Sequence, residues 1–198
     1  MAYTSCISAV AASIAADCSN PIVGGYTGRA LLFPLDKAPA FTVDAQNPRI
    51  ITAITLQGSD KWIMVDNVDI ADPMTGSSTQ SNGDTGRILN TKTFAFHIPK
   101  RGADVSKDIV EPLQRSALGF IAILEKKDRV GDGSFEIVGY QQGLKTNPDG
   151  VVRNDLENGG DIVVTMSCQE SFFETTLFDT NYATTLALFE TYVGNTLS

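Results

Sequence analysis

The chain has 198 residues, 42% of them apolar, and a formal charge of −8. That length fits one domain, and that apolar fraction excludes a chain disordered throughout. The negative charge excludes a nucleic-acid-binding surface of the usual basic kind, and no apolar run approaches the roughly 18 residues of a membrane-spanning helix.

The N-terminal "SCISAVAASIAADCS" is rich in Ala, but no Lys or Arg precedes Arg29, so an export signal is not expected. Residues 1–20 read as an extended arm or a weak helix. Cys6, Cys18 and Cys168 show no metal-ligand spacing and read as free cytosolic thiols. "GRALLF" reads as a short strand closed by Pro34, and "KAPAFTVDAQNPR", with two prolines, as a loop or sheet edge. "IITAITLQ" places Ile50, Thr52, Ile54 and Leu56 on one face. It is expected to pair with "KWIMVDNV" across the turn signal "GSD", with Trp62 in the core.

The polar stretch "DIADPMTGSSTQSNGDTGRILN" reads as a long loop over about 69–90, a length that usually marks function or disorder. "TKTFAFHIP" returns to strand, with Phe94, Phe96 and Ile98 on one face. His97, the sole histidine, sits on the other face without a ligand partner at useful spacing. "DVSKDIVEPLQRSAL" predicts a helix capped by Ser106, with Pro112 kinking it or opening a shorter one.

"DRVGDGSFE" carries half of a calcium loop. Val130 and Gly139 stand where oxygen ligands are required, however, and strand-like "GFIAILEKK" and "SFEIVGYQQGL" flank it. A β-hairpin turn through Asp128 and Asp132 is the expectation. "KTNPDGVVRNDLENGGD" reads as a second turn-rich stretch. "IVVTMSCQE" alternates strictly, with Ile162, Val164, Met166 and Cys168 on the apolar face. "DTNYATTLALFETYVG" reads as a final helix with Tyr182, Leu186, Phe189 and Val193 at helical spacing. Seven to nine strands and two helices predict a mostly β domain, a sandwich or barrel with one packed helix and a C-terminal helix.

Chemistry is sparse. "GGYTGR" lacks the lysine and spacing of a phosphate loop, and no nucleophile elbow exists. Asp155 and Glu157 sit in a turn with nothing apolar to raise a pKa. Neither an enzyme, a cofactor nor a metal is nominated. The charge is uneven. From Asn147 onward Asp149, Asp155, Glu157, Asp161, Glu170, Glu174, Asp179 and Glu190 face Arg153 alone, eight acids against one base. This is either a solvated acidic face or a surface that repels another polyanion.

From Phe120 onward, the succession "FIAILEKK", a turn, "FEIVGYQQGLK", "RNDLENGGDIVVTMSCQESFFETTLF" and "TNYATT" resembles tail tube subunits of phages infecting Bacteroidetes-type bacteria. The resemblance covers about the C-terminal 80 residues and the N-terminal half only in outline; Pro112 departs from the expected flanking helix. It implies a single β-sandwich domain forming hexameric rings that stack into a tube. The partners would be self, other tail proteins and DNA passing without specific binding. The location would be the virion tail, assembled in the host bacterial cytoplasm, with no membrane association. Residues 1–20 and the loop with Asp72, Met74, Asn82, Asp84 and Arg87 would correspond to inter-ring contacts. Asp149, Asp155, Glu157 and Asp161 would be lumen acids, with Glu170 and Glu174 as weaker candidates. A monomeric β-sandwich module binding carbohydrate or protein is the alternative.

Overall fold

The computed structural model describes residues 24–67, 74–82, 88–129, 131–153 and 160–197. Among them, β1 (Tyr26–Pro34), β2 (Ala40–Val43), β3 (Ile50–Thr55), β4 (Ile63–Asp66), β5 (Met74–Asn82) and β6 (Ile88–Ile98) come first. Then α1 (Ala103–Val105) runs through a π-helical turn (Ser106–Val110) into α2 (Glu111–Arg115). β7 (Phe120–Lys126), β8 (Phe135–Val138), β9 (Lys145–Val152), β10 (Ile162–Glu170), β11 (Thr175–Leu177) and α3 (Tyr182–Val193) complete the order.

The strands form two sheets, β2-β3-β11-β8-β7-β1-β4 and β5-β6-β10-β9. All neighbours are antiparallel except β11 with β3. Side-chain alternation sorts the core into two layers. Leu32, Phe94, Phe96, Ala122, Leu124, Val164 and Met166 fill the space between the sheets. Leu31, Phe33, Ile121, Ile123, Phe135 and Phe189 fill the space between the larger sheet and α3. Strand β7 therefore reads as an unbroken apolar run, because both of its faces are covered. Trp62 is fully buried, 5.5 Å from the Phe33 ring and 5.3 Å from Tyr192. The Tyr192 hydroxyl accepts from the Ile54 amide at 2.7 Å and so ties α3 to β3.

The mostly β sandwich with a short helix and a C-terminal helix is the expected class. The "DRVGDGSFE" turn joins β7 to β8 as an antiparallel hairpin. Pro112 is the second residue of α2, directly after the π-helical turn, inside a continuous helical segment.

Four local expectations are corrected. Strands β3 and β4 do not pair. The chain turns at Asp60, whose amide donates to Gln57, yet β3 joins β2 and β11 while β4 joins β1 at the far edge. The polar stretch is not a loop throughout: Met74–Asn82 is an edge strand with nine registered partners on β6. Half of the second turn-rich stretch is strand β9, whose register shifts between its β10 partners Val164 and Met166. Pro148 lies inside that shift, at a sheet edge, where a strand tolerates proline. Finally, the helix after Ile98 begins at Ala103, and Ser106 lies inside the π-turn rather than at a cap.

Candidate functional site

The smaller sheet presents the most distinctive surface. On its outer face Thr91, Thr93, Ala95 and His97 of β6 alternate with buried Lys92, Phe94, Phe96 and Ile98. Cross-strand register sets Ser77 against Thr93, Thr79 against Thr91, and Thr93 and Thr91 against Ser167 and Gln169. The result is a face of hydroxyls and amides. Strand β5 forms one edge of this sheet, and its residues 75–80 are exposed. Strand β9 forms the other edge. The start of β9 is held by the Thr146 hydroxyl, which donates to the Leu113 carbonyl at 2.9 Å.

At the end of the sheet where β10 finishes, charges are buried in pairs. Lys92 Nζ and Glu170 Oε2 lie 2.8 Å apart with side chains 2% and 0% exposed. No aligned hydrogen bond joins them, so charge and burial hold the contact. Glu170 lies beside Cys168, whose thiol burial pushes up to about 12, with the Glu170 charge adding to it. Lys126 contacts both Glu136, at 3.3 Å, and Glu174. The Tyr26 hydroxyl donates to Glu136 at 3.0 Å. Burial first, then the Glu136 charge, raises the Tyr26 phenol above its ordinary value. Arg29 bonds Glu125 at 2.7 Å and Glu190 at 2.8 Å, on the face that α3 covers.

At the opposite end, a cleft of about 750 Å³ opens between β4, the end of β6 and the α1–α2 segment. Ile63, Val65, Phe96, Ile98, Ile109 and Leu113 form its apolar wall, with Lys37, Lys100 and Asp108 at its lip. The C-terminal residues run beside it: the Trp62 amide donates to Asn195, and the Leu197 amide to Trp62.

The sequence-nominated residues scatter. Asp149 is exposed on β9. Asp161, half-buried just before β10, has Oδ2 3.8 Å from His97 Nδ1. Asp149 thus lies on β9 and Asp161 one residue before β10, the neighbouring strand of the smaller sheet. Met74 is buried in the inter-sheet core and is not a loop residue. Asn82 ends β5. Asp72, Asp84, Arg87, Asp155, Glu157 and the whole 1–20 segment lie outside the described residues. Glu170 is a correction: a carboxylate with a 0% exposed side chain cannot line a channel. Glu174 and Glu190, both partly exposed, each contact a cation. Among the described residues, no group of three or more His, Cys, Asp or Glu is placed to hold a metal. Among the described residues, no helix is long and apolar enough to cross a membrane.

Sequence reasoning missed the Lys92–Glu170 pair, although the signal was present. Lys92 extends the buried alternation of Phe94, Phe96 and Ile98 by one step. Glu170 extends that of Ile162 to Cys168 by one step, so two apolar faces each end in an opposite charge. Compared with protein-family models, with curated proteins and with solved structures, the chain matches none.

Proposed function

We propose that the chain is a structural, non-enzymatic subunit that assembles with copies of itself into stacked rings. These would form the tail tube of a bacterial virus, through which DNA passes. The observation that carries the reading is the four-stranded sheet, whose edge strand β5 is nine residues long, exposed at residues 75–80 and without a charged residue, beside a face rich in Ser and Thr hydroxyls. Unpaired strand edges are templates for pairing with another chain, and a ring is the symmetric way to satisfy an edge that meets a different surface of the next copy. The succession of motifs from Phe120 onward supports a tail tube in particular. Asp149, on β9, and Asp161, one residue before β10, are the described candidates for its lumen. Partners on this reading are further copies, other tail proteins and DNA that slides without specific binding.

Light scattering after size exclusion, with negative-stain imaging, tests it. Rings or tubes are expected. Ser77→Lys with Thr79→Lys, which blunts the β5 edge, leaves a folded monomer. A wild-type protein that stays monomeric at high concentration refutes the reading. The 750 Å³ cleft favours the second reading, a monomeric module that binds a ligand or peptide.

A further inference from the structure

One end of the molecule carries an exposed aromatic ring and the other an apolar cleft. Phe173 is 65% exposed and is the only aromatic among the exposed large apolar side chains of the described residues. It stands on the turn between β10 and β11, and that turn is pinned from several sides. The Ser171 amide and hydroxyl both donate to Gln141 Oε1 at 2.8 Å. The Asn90 side-chain amide donates to the Ser171 carbonyl at 3.4 Å. Arg49 lies 5.4 Å over the Phe172 ring, and Glu174 is held by Lys126. The phenyl ring is thus presented on a fixed support, and docking it costs little ordering.

The apolar cleft is at the opposite end. Along β10 and β6, the Glu170–Asn90 pair lies at the Phe173 end and the Ile162–Ile98 pair at the cleft end. Strand β7 gives the same polarity: Phe120 lines the cleft, while Lys126 holds Glu174. Nine residues of β10 span roughly 30 Å at ~3.3 Å each. The ring of one molecule therefore cannot reach its own cleft. A knob and a hole on opposite ends of one body make a heterologous contact, which propagates in a line.

We propose that Phe173 of one copy inserts into the cleft between β4, β6 and α1–α2 of the next, joining copies head to tail along the strand direction. The cleft, about 750 Å³, has room for the ring, and its apolar wall desolvates a phenyl group, while Asp36, Lys37, Lys100, Asp108 and Arg115 also line it. Glu174 beside the knob meets Lys100 on the lip. The inference rests on the self-assembly reading and supplies its longitudinal contact.

Disulfide trapping tests it in the full chain, with Cys6→Ser and Cys18→Ser as background. Phe173→Cys combined with Ile109→Cys gives a ladder of dimers, trimers and higher species on a non-reducing gel after mild oxidation; neither single variant does. A dimer from Phe173→Cys alone means a symmetric contact and overturns the proposal. Phe173→Ala lowers the association constant on the order of 30-fold or more, as a central aromatic anchor does, whereas Phe173→Leu keeps most of it. Assembly of wild type and Phe173→Ala to equal extent, with no ladder from the double variant, removes this contact and leaves ring formation standing. Monomeric wild type under the same conditions removes the self-assembly reading and the contact with it.

Discussion

Replacing Lys92 by Met removes one charge of the buried pair while nearly preserving shape. In the wild type the two charged atoms lie 2.8 Å apart, with side chains 2% and 0% exposed. At an effective dielectric of about 20, two unit charges about 4 Å apart attract by about 4 kcal/mol, and this offsets the loss of hydration. Lys92→Met leaves Glu170 enclosed without its partner. Breaking a buried pair on one side costs about 3–5 kcal/mol. For a domain of this size each kcal/mol shifts Tm by about 2–4 °C, so a fall of roughly 6–20 °C is expected. The double variant Lys92→Met/Glu170→Leu has no enclosed charge and recovers wild-type stability to within about 1 kcal/mol or exceeds it. Urea melts followed by the fluorescence of Trp62 give both numbers and their coupling. A single variant that costs less than about 1 kcal/mol would mean that Glu170 finds water or another donor, and would falsify this account of the pair.

Three other outcomes are expected. The Cys168 thiol, raised from 9.0 to about 12 by burial and then by Glu170, is more stable neutral in the fold. Its contribution is complete below about pH 9 and is lost as pH rises toward 12, about 4 kcal/mol over three pKa steps of about 1.4 each. Tyr26 acts in the same direction, so Cys168→Ala/Tyr26→Phe flattens the alkaline limb of urea melts; unchanged slopes count against it. Gly139→Ala forces a side chain onto a backbone at φ +85°, with Cβ 2.8 Å from the Leu144 nitrogen and crowding the Phe120 carbonyl. A cost above roughly 3 kcal/mol is expected in thermal melts, and a loss under 1 would show that the strand ends relax. Asp149→Lys with Asp161→Lys keeps tube assembly but slows DNA ejection from particles, most at low salt, because a basic wall binds phosphate; normal ejection removes these acids from the lumen.

What the sequence discloses follows burial. Strands β6 and β10 and helix α3 each place an apolar face in a layer, so their periodicity was readable, including Phe189 against the larger sheet, while β7, covered on both faces, was readable as an unbroken apolar run. Strands β5 and β9 were not readable as strands for the converse reason. Of residues 74–80 in β5, only Met74 is buried, and its backbone ladder with β6, not its side chains, holds it. In β9, Pro148 and Asp149 carry turn signals because the strand is bulged there. The pairing error between β3 and β4 has another origin. A turn signal fixes where a chain reverses, but partners in a seven-stranded sheet are chosen by non-local packing. Trp62, wedged between Phe33 and Tyr192, anchors the start of β4 beside β1. The surface end of the molecule was legible in kind only. Phe173 belongs to a quoted stretch, yet nothing in its spacing tells that the ring points out while neighbouring Phe172 lies under Arg49.

The edges of the two sheets differ in a way that bears on assembly. Strand β2 is four residues long and strand β4 likewise, and the Thr196 bridge to Trp62 caps the approach to β4. Strand β9 carries Lys145, Pro148 and Asp149 and a bulge, each a known deterrent to edge pairing. Strand β5 has nine residues, no charge and no proline. A monomer that gained nothing from contact at this edge would be expected to place a lysine or proline among its exposed positions, since such substitutions on a polar face cost little. Their absence from "TGSSTQSN" is what an edge meant for a partner strand requires. It also explains why the face is built from Ser and Thr: hydroxyls stay solvated while free and bond across strands when paired. The Ser77→Lys/Thr79→Lys variant separates the two cases. If the edge serves association, the lysines abolish rings without lowering the melting temperature of the monomer. If the edge is merely tolerated, the oligomeric state does not change.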